Sequence, residues 1–209
     1  ISIFRNIGAT RVNASTFAAR VDVTVGDNPG RIYKGDFDVD GKLDMVMYHS
    51  TGTSSTVITV FHNQSTVGSI SFTTFNLTMP SASTVAHVDD LDGDGKPEII
   101  VTSETGNRFS IFKNNHTSGA LSASSFASPF STTVTAPRGL TTGDINQDGK
   151  PEIIITRAAG FLLVYENLVP TATITITSQP GGTYNKCEGD DYVFSTDATG
   201  TTNITFQWQ

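Results

Sequence analysis

The sequence holds one cysteine, Cys187, and one tryptophan, Trp208. A lone cysteine excludes an internal disulfide framework. Charge is also scarce, with Asp, Glu, Lys and Arg making up 16% of 209 residues. Only 13 residues are Lys or Arg against 20 Asp or Glu, a formal net charge of −7. No Lys/Arg cluster occurs, so the basic patch that nucleic acid requires is missing. No apolar run approaches the roughly 18 residues needed to cross a bilayer. The longest, at 153–155 and 161–165, have strand length. Helical periodicity, a nucleophile elbow and a phosphate-binding glycine loop are all absent. There is no initiator Met at Ile1 and no signal segment, so a fragment or processed product is expected.

Ser, Thr, Asn and Gly are plentiful instead, and Thr, Val, Ile and Phe dominate the apolar segments. These residues favour strands, and the polar ones suit the surface of an extracellular β protein.

An internal repeat organises the chain. Asp36-Phe37-Asp38-Val39-Asp40-Gly41-Lys42-Leu43-Asp44 returns as Asp90-Leu91-Asp92-Gly93-Asp94-Gly95-Lys96-Pro97-Glu98. It returns again as Asp144-Ile145-Asn146-Gln147-Asp148-Gly149-Lys150-Pro151-Glu152, spaced by 54 residues both times. After each loop comes an apolar run (45–47, 99–101, 153–155) and then a glycine at Gly52, Gly106 and Gly160. Next is a strand ending in an aromatic, one residue and Asn, as in Phe61-His62-Asn63, Phe112-Lys113-Asn114 and Tyr165-Glu166-Asn167. Phe4-Arg5-Asn6 is a fourth copy at the start, and Ser/Thr-rich stretches around Phe17, Phe72 and Phe126 lead into the loops. The runs after the loops are apolar at every position, which predicts strands buried on both faces by neighbouring sheets. The strand at 109–112 is mixed and is expected to be more exposed. Four short strands per repeat describe propeller blades, with a β-solenoid as the structural alternative. Closed propellers need about four to eight blades, so a partial propeller is expected.

Positions 1, 3 and 5 of each loop alternate carboxylates, with Asn146 in place of Asp at position 3 of the third copy. Gly at position 6 permits a sharp turn around an ion, and the position 7 carbonyl (Lys42, Lys96, Lys150) can then face inward. Position 9 (Asp44, Glu98, Glu152) closes the shell. With a water, about six or seven oxygens surround the ion, which suits calcium. The expected ligands are therefore Asp36, Asp38, Asp40, Lys42 and Asp44; Asp90, Asp92, Asp94, Lys96 and Glu98; Asp144, Asn146, Asp148, Lys150 and Glu152. Up to three Ca²⁺ ions are expected, chiefly structural, with the third site weakest because Asn146 removes a charge. Extracellular calcium modules bind at about 10⁻⁴ to 10⁻³ M. An EF-hand is excluded, because position 12 is Met47, Val101 or Ile155 inside a predicted strand.

These loops, with the strand after each (35–47, 89–101, 143–155), resemble the FG-GAP or VCBS repeat of integrin-α-like β-propellers. The resemblance covers roughly residues 1–168. It implies calcium-binding blades in which the loop joins the first two strands. No Phe-Gly pair is present and only Ala136-Pro137 is similar to the family's Gly-Ala-Pro, which favours the bacterial VCBS branch.

Composition changes near Asn167. Residues 169–171 read as a linker, and 172–209 resemble the first part of an immunoglobulin-like β-sandwich, with a disordered tail as the alternative. That resemblance implies Cys187 on its second strand, Trp208 on its third and the partner cysteine beyond Gln209.

No catalytic residue is expected. Asp89 and Glu104 are acids outside the loops. His49, His62, His87 and His116 form no spaced set and read as surface or turn residues. Acceptor sequons at Asn13, Asn63, Asn76, Asn115 and Asn203 reflect the composition. The expected function is a non-catalytic calcium-binding module of a secreted or cell-surface protein, for adhesion or scaffolding. Its partner is an unknown protein or glycan. The alternatives are the propeller of a calcium-dependent polysaccharide-degrading enzyme, and a glycan-binding lectin.

Overall fold

The computed structural model describes residues 1–8, 13, 16–49 and 56–169, with the backbone of two short strands beyond them. Apart from short 3-10 structure at Thr16 and at Ala123–Ser125, the regular structure of these residues is all β. The strands are β1 (Ser2–Ile3), β2 (Val21–Asp22), β3 (Pro29–Gly35), β4 (Asp44–His49) and β5 (Val57–Asn63). They continue as β6 (Phe72–Thr78), β7 (Val85–Asp89), β8 (Glu98–Ser103), β9 (Arg108–Phe112) and β10 (Phe130–Thr133). The last are β11 (Pro137–Gly143), β12 (Glu152–Arg157), β13 (Leu162–Tyr165), β14 (Thr175–Ser178) and β15 (Asp197–Thr199).

The sequence repeat becomes a repeat of antiparallel sheets. Sheet I is β3-β4-β5-β6, sheet II is β7-β8-β9-β10, and sheet III is β11-β12-β13. Each is a meander in which consecutive strands pair, and each acidic loop joins its first strand to its second. Register repeats too: Val46 opposes Val60, Ile100 opposes Ile111, and Ile154 opposes Val164. The pair β1–β2 and the bridge from Asn6 to Phe17 correspond to the outer half of a sheet, since Asn114 bridges Phe126 in the same way.

Four strands per repeat hold for sheets I and II, whereas sheet III has three among the described residues. The chain after Val169 is described only as β14 pairing antiparallel with β15. The expected glycine turn at Gly52, the linker at Pro170 and beyond, and Cys187 and Trp208 lie outside the described residues.

Alternating side chains explain the stacking, because successive residues of a strand face opposite sides of a sheet. Val46, Ile58 and Val60 of sheet I meet Ala86, Ile99 and Val101 of sheet II in one core with Phe37 and Phe126. Ile100 and Phe109 project from the other face of sheet II and meet Ile153 and Ile155 of sheet III, with Leu91. Strand β8 is therefore buried along its whole length, in keeping with its apolar run at 99–101. Strand β9 departs from the expected exposure: Phe112 and Phe109 pack into the two cores, and Ser110 is fully buried with its hydroxyl 2.8 Å from that of Ser131 on β10. A buried hydroxyl is tolerated when it is hydrogen-bonded.

Sheet III presents its far face openly. Ile145, Leu162 and Val164 are 57%, 64% and 49% exposed, whereas their counterparts Leu91 and Phe109 in sheet II are 8% and 3% exposed. This contrast predicts unequal effects of equivalent truncations. Leu91→Ala should lower stability to denaturant by about 3 kcal/mol through a core cavity. Ile145→Ala, at the same loop position, should change it by less than about 1 kcal/mol. Equal losses in urea unfolding would contradict the stacking described here.

Candidate metal centre

Each acidic loop runs from the end of one strand to the first residue of the next, and all three close with one hydrogen-bond frame. The position 1 carboxylate turns back over the loop. Asp36 accepts N–H bonds from Asp40 and Gly41, Asp90 from Gly93 and Gly95, and Asp144 from Asp148 and Gly149. The position 5 carboxylate accepts from position 7: Lys42 N–H to Asp40, Lys96 to Asp94, and Lys150 to Asp148. The turn needs left-handed backbone at position 6, where Gly41, Gly95 and Gly149 have φ of +85°, +84° and +85°. Glycine adopts that conformation without the clash that a Cβ brings.

Position 9 anchors the frame. Asp44, Glu98 and Glu152 are 1–2% exposed. Each accepts the N–H of position 2, from Phe37 at 3.0 Å, Leu91 at 2.8 Å and Ile145 at 2.9 Å. The other oxygen of Asp44 and of Glu98 accepts the N–H of Asn63 and Asn114. Burial pushes the Glu98 carboxyl up to about 7, against the two amide bonds that favour its charge. Asp44 is raised for the same reason, and nearby Asp38 adds to it.

The Asn that ends the aromatic-x-Asn strand clasps neighbouring loops. Asn114 Nδ2 donates to Phe37 O of the preceding loop at 2.8 Å and to Pro97 O of its own at 3.3 Å. Asn167 Nδ2 does the same with Leu91 O at 2.7 Å and Pro151 O at 3.2 Å. Asn63 Nδ2 bonds Leu43 O of its own loop. In all four copies the Asn Oδ1 accepts the N–H two residues on, from Gly8, Ser65, His116 and Val169.

Position 3 is the exception to this saturation. Asp38 Oδ1 and Asp92 Oδ1 are buried and have no hydrogen-bond partner. Their other oxygens face the residue between the aromatic and the Asn. His62 Nε2 lies 2.9 Å from Asp38 Oδ2, and Lys113 Nζ pairs with Asp92 Oδ2. In the third copy Asn146 Oδ1 accepts Asp148 N–H at 3.0 Å, and Glu166 lines one cavity with Asn146 and Glu152. There Glu152 Oε1 is the buried oxygen without a partner. Carboxylate oxygens of Asp36, Asp38 and Asp40 lie within 4.8 Å of one another, as do those of Asp90, Asp92 and Asp94.

This donor set fits a hard divalent cation. Buried carboxylate oxygens without proton donors are unfavourable unless a positive charge meets them. Positions 1, 3 and 5 bring their carboxylates together in the first two loops, and in the first loop Asp44 at position 9 also lies within 4.8 Å of Asp38. The ammonium groups of Lys42 and Lys96 pair with Asp40 and Asp94 at the loop surface.

The remaining candidates are tied into the fold. Asp89 Oδ2 accepts from Thr142 Oγ1 at 2.5 Å and Glu104 Oε1 from Arg138 Nε at 2.8 Å, so both link sheet II to sheet III. His49, His62 and His116 are 6–7% exposed and not the surface residues expected. Each is drawn inward by a polar partner: Asp27 O and Thr59 for His49, Asp38 for His62, Ser125 for His116. His62, which the sequence places among surface or turn residues, lies instead beside the first acidic loop. Its signal was its place before the repeated Asn, the position that holds Lys113 and Glu166 elsewhere.

Burial of Glu98 sets a pH dependence. Its folded pKa of about 7 lies above the ordinary 4.5, so folding favours the neutral form. Stability in chelator should therefore fall as pH rises from about 4.5 to about 7, with no further loss from this group above that. Urea midpoints across this range check the slope, and Glu98→Gln should flatten it. An unchanged slope in that variant would contradict the assignment.

Residues 90–155 match the model of a protein family described as the FG-GAP-like repeat. Searches of curated proteins and of solved structures each found no match. The matched span runs from the second acidic loop through the strand after the third, and thus contains an FG-GAP-like repeat.

Proposed function

We propose that this chain is a non-catalytic calcium-binding repeat module of the FG-GAP/VCBS kind, with its sheets stacked as propeller blades. The observation that carries the reading is the pair of buried, unpartnered oxygens on Asp38 and Asp92, in loops whose other buried side-chain oxygens have hydrogen-bond partners. Calcium there would neutralise the clustered acids and tighten the turn between two strands. The third loop has one carboxylate fewer at position 3, and Glu166 beside Asn146 supplies a negative charge to the same cavity.

The sparse charge, the Ser/Thr/Asn-rich surface and the millimolar calcium such loops suit all favour a secreted or cell-surface setting. The module would serve adhesion or scaffolding, with an immunoglobulin-like region after it and a protein or glycan partner. Its exposed face on sheet III, with Ile145, Leu162 and Val164, extends the pattern by which sheets I and II are covered. That is the behaviour of a repeat array, in which each unit buries its neighbour.

Calorimetric titration of the full chain tests this reading. Two or three calcium sites are expected, and Asp92→Ala should weaken one of them at least about tenfold while leaving the others. No calcium heat at millimolar concentration would overturn the proposal.

A further inference from the structure

The first loop differs from the other two in a way that points to a second kind of metal. Ligand atoms of Asp38, Asp44 and His62 lie within 4.8 Å of one another. All three groups are buried: Asp44 is 1% exposed, and the side chains of Asp38 and His62 are each 9% exposed. Asp38 Oδ1 has no partner, which sets this group apart from an ordinary acidic cluster on a surface. Three elements converge to make it. Asp38 comes from the loop, Asp44 is the first residue of β4, and His62 lies near the end of β5, the strand beside β4.

We propose that Asp38, Asp44 and His62 form a site for a transition-metal dication of the zinc type, with the imidazole of His62 as nitrogen ligand. Calcium takes oxygen ligands. An imidazole with two carboxylates matches the mixed nitrogen and oxygen preference of zinc and its first-row neighbours. Three protein ligands leave room for water at a fourth position. His62 Nε2, now 2.9 Å from Asp38 Oδ2, is the nitrogen placed to turn to the metal.

The other loops serve as internal controls. Lys113 takes the place of His62 in sheet II, and its ammonium pairs with Asp92, so a built-in cation already faces that carboxylate. Glu166 takes the place in sheet III and offers no nitrogen. Outside the loops, His49, His87 and His116 are each engaged elsewhere, His87 with Thr142 at 2.9 Å. One transition-metal site per chain is therefore expected against up to three for calcium. The site shares Asp38 and Asp44 with the proposed calcium loop, so the two ions exclude each other there, but it does not require that calcium bind.

Cobalt(II) is the probe, because its visible absorption reports nitrogen ligation and low coordination number. Titration of the full chain with Co²⁺ should give a d–d spectrum that saturates at one equivalent and is displaced by Zn²⁺. His62→Gln should weaken this binding about a hundredfold or more. His62→Lys, which copies the sheet II residue, should do the same, and circular dichroism would show that both variants keep the fold. A Co²⁺ spectrum that survives in His62→Gln, or none in the unaltered chain, would overturn the proposal. Calcium titration of the same variant reads the other loops separately, so failure of the calcium reading would appear as missing calcium heat whatever cobalt does.

Discussion

Asp44, Glu98 and Glu152 each enter a sheet as the first residue of its second strand, almost wholly buried, and each accepts the amide of residue 2 of its own loop. That bond fixes where the loop returns to the sheet. Residue 2 is then held inward, where Phe37 and Leu91 join the cores between sheets. The carbonyl of the same residue receives the Asn clasp of the next unit, from Asn114 and Asn167. One buried carboxylate thus couples loop shape, core packing and the bond between neighbouring units. Removing either partner of such a buried bond leaves the other unsatisfied, a loss of about 1–3 kcal/mol or more for a charged group.

The same anchor explains why the loops are electrostatically tense. Holding position 9 inside while positions 1, 3 and 5 crowd above it concentrates negative charge in a place of low polarity. The raised Glu98 and Asp44 carboxyls register this. The chain answers locally with a cation just after β9 in sheet II, Lys113, and with His62 in sheet I. A metal ion would relieve what these side chains leave unmet.

Much of the fold was legible in the sequence because the repeat carries its own register. The spacing of Asp36, Asp90 and Asp144 marked the loops. The fully apolar runs after them foretold strands covered on both faces, as β8 shows. The left-handed glycines at position 6 followed from the turn that the loop must make. Less visible were contacts between units, since nothing local to Asn114 says that its amide reaches Phe37 O, 77 residues earlier. Ser110 misled because a polar residue in a strand reads as exposed unless its partner, Ser131, is known. The histidines misled likewise: burial of His49 and His116 goes with polar partners that the fold brings in, Asp27 O and Thr59 for His49 and Ser125 for His116. Position 9 was read as a ligand alone, although its first task is to bind backbone, because hydrogen bonds to amides leave no mark in composition.

Thermal unfolding of the full chain in millimolar calcium and in chelator, at matched ionic strength and pH 7, tests the central claim most directly. If the loops are cation-stabilised joints between strands, calcium should raise the melting temperature, since an ion that binds only the folded state stabilises it by mass action. Asp38→Ala and Asp92→Ala together should remove most of that rise. An identical melting temperature in calcium and in chelator would contradict the account.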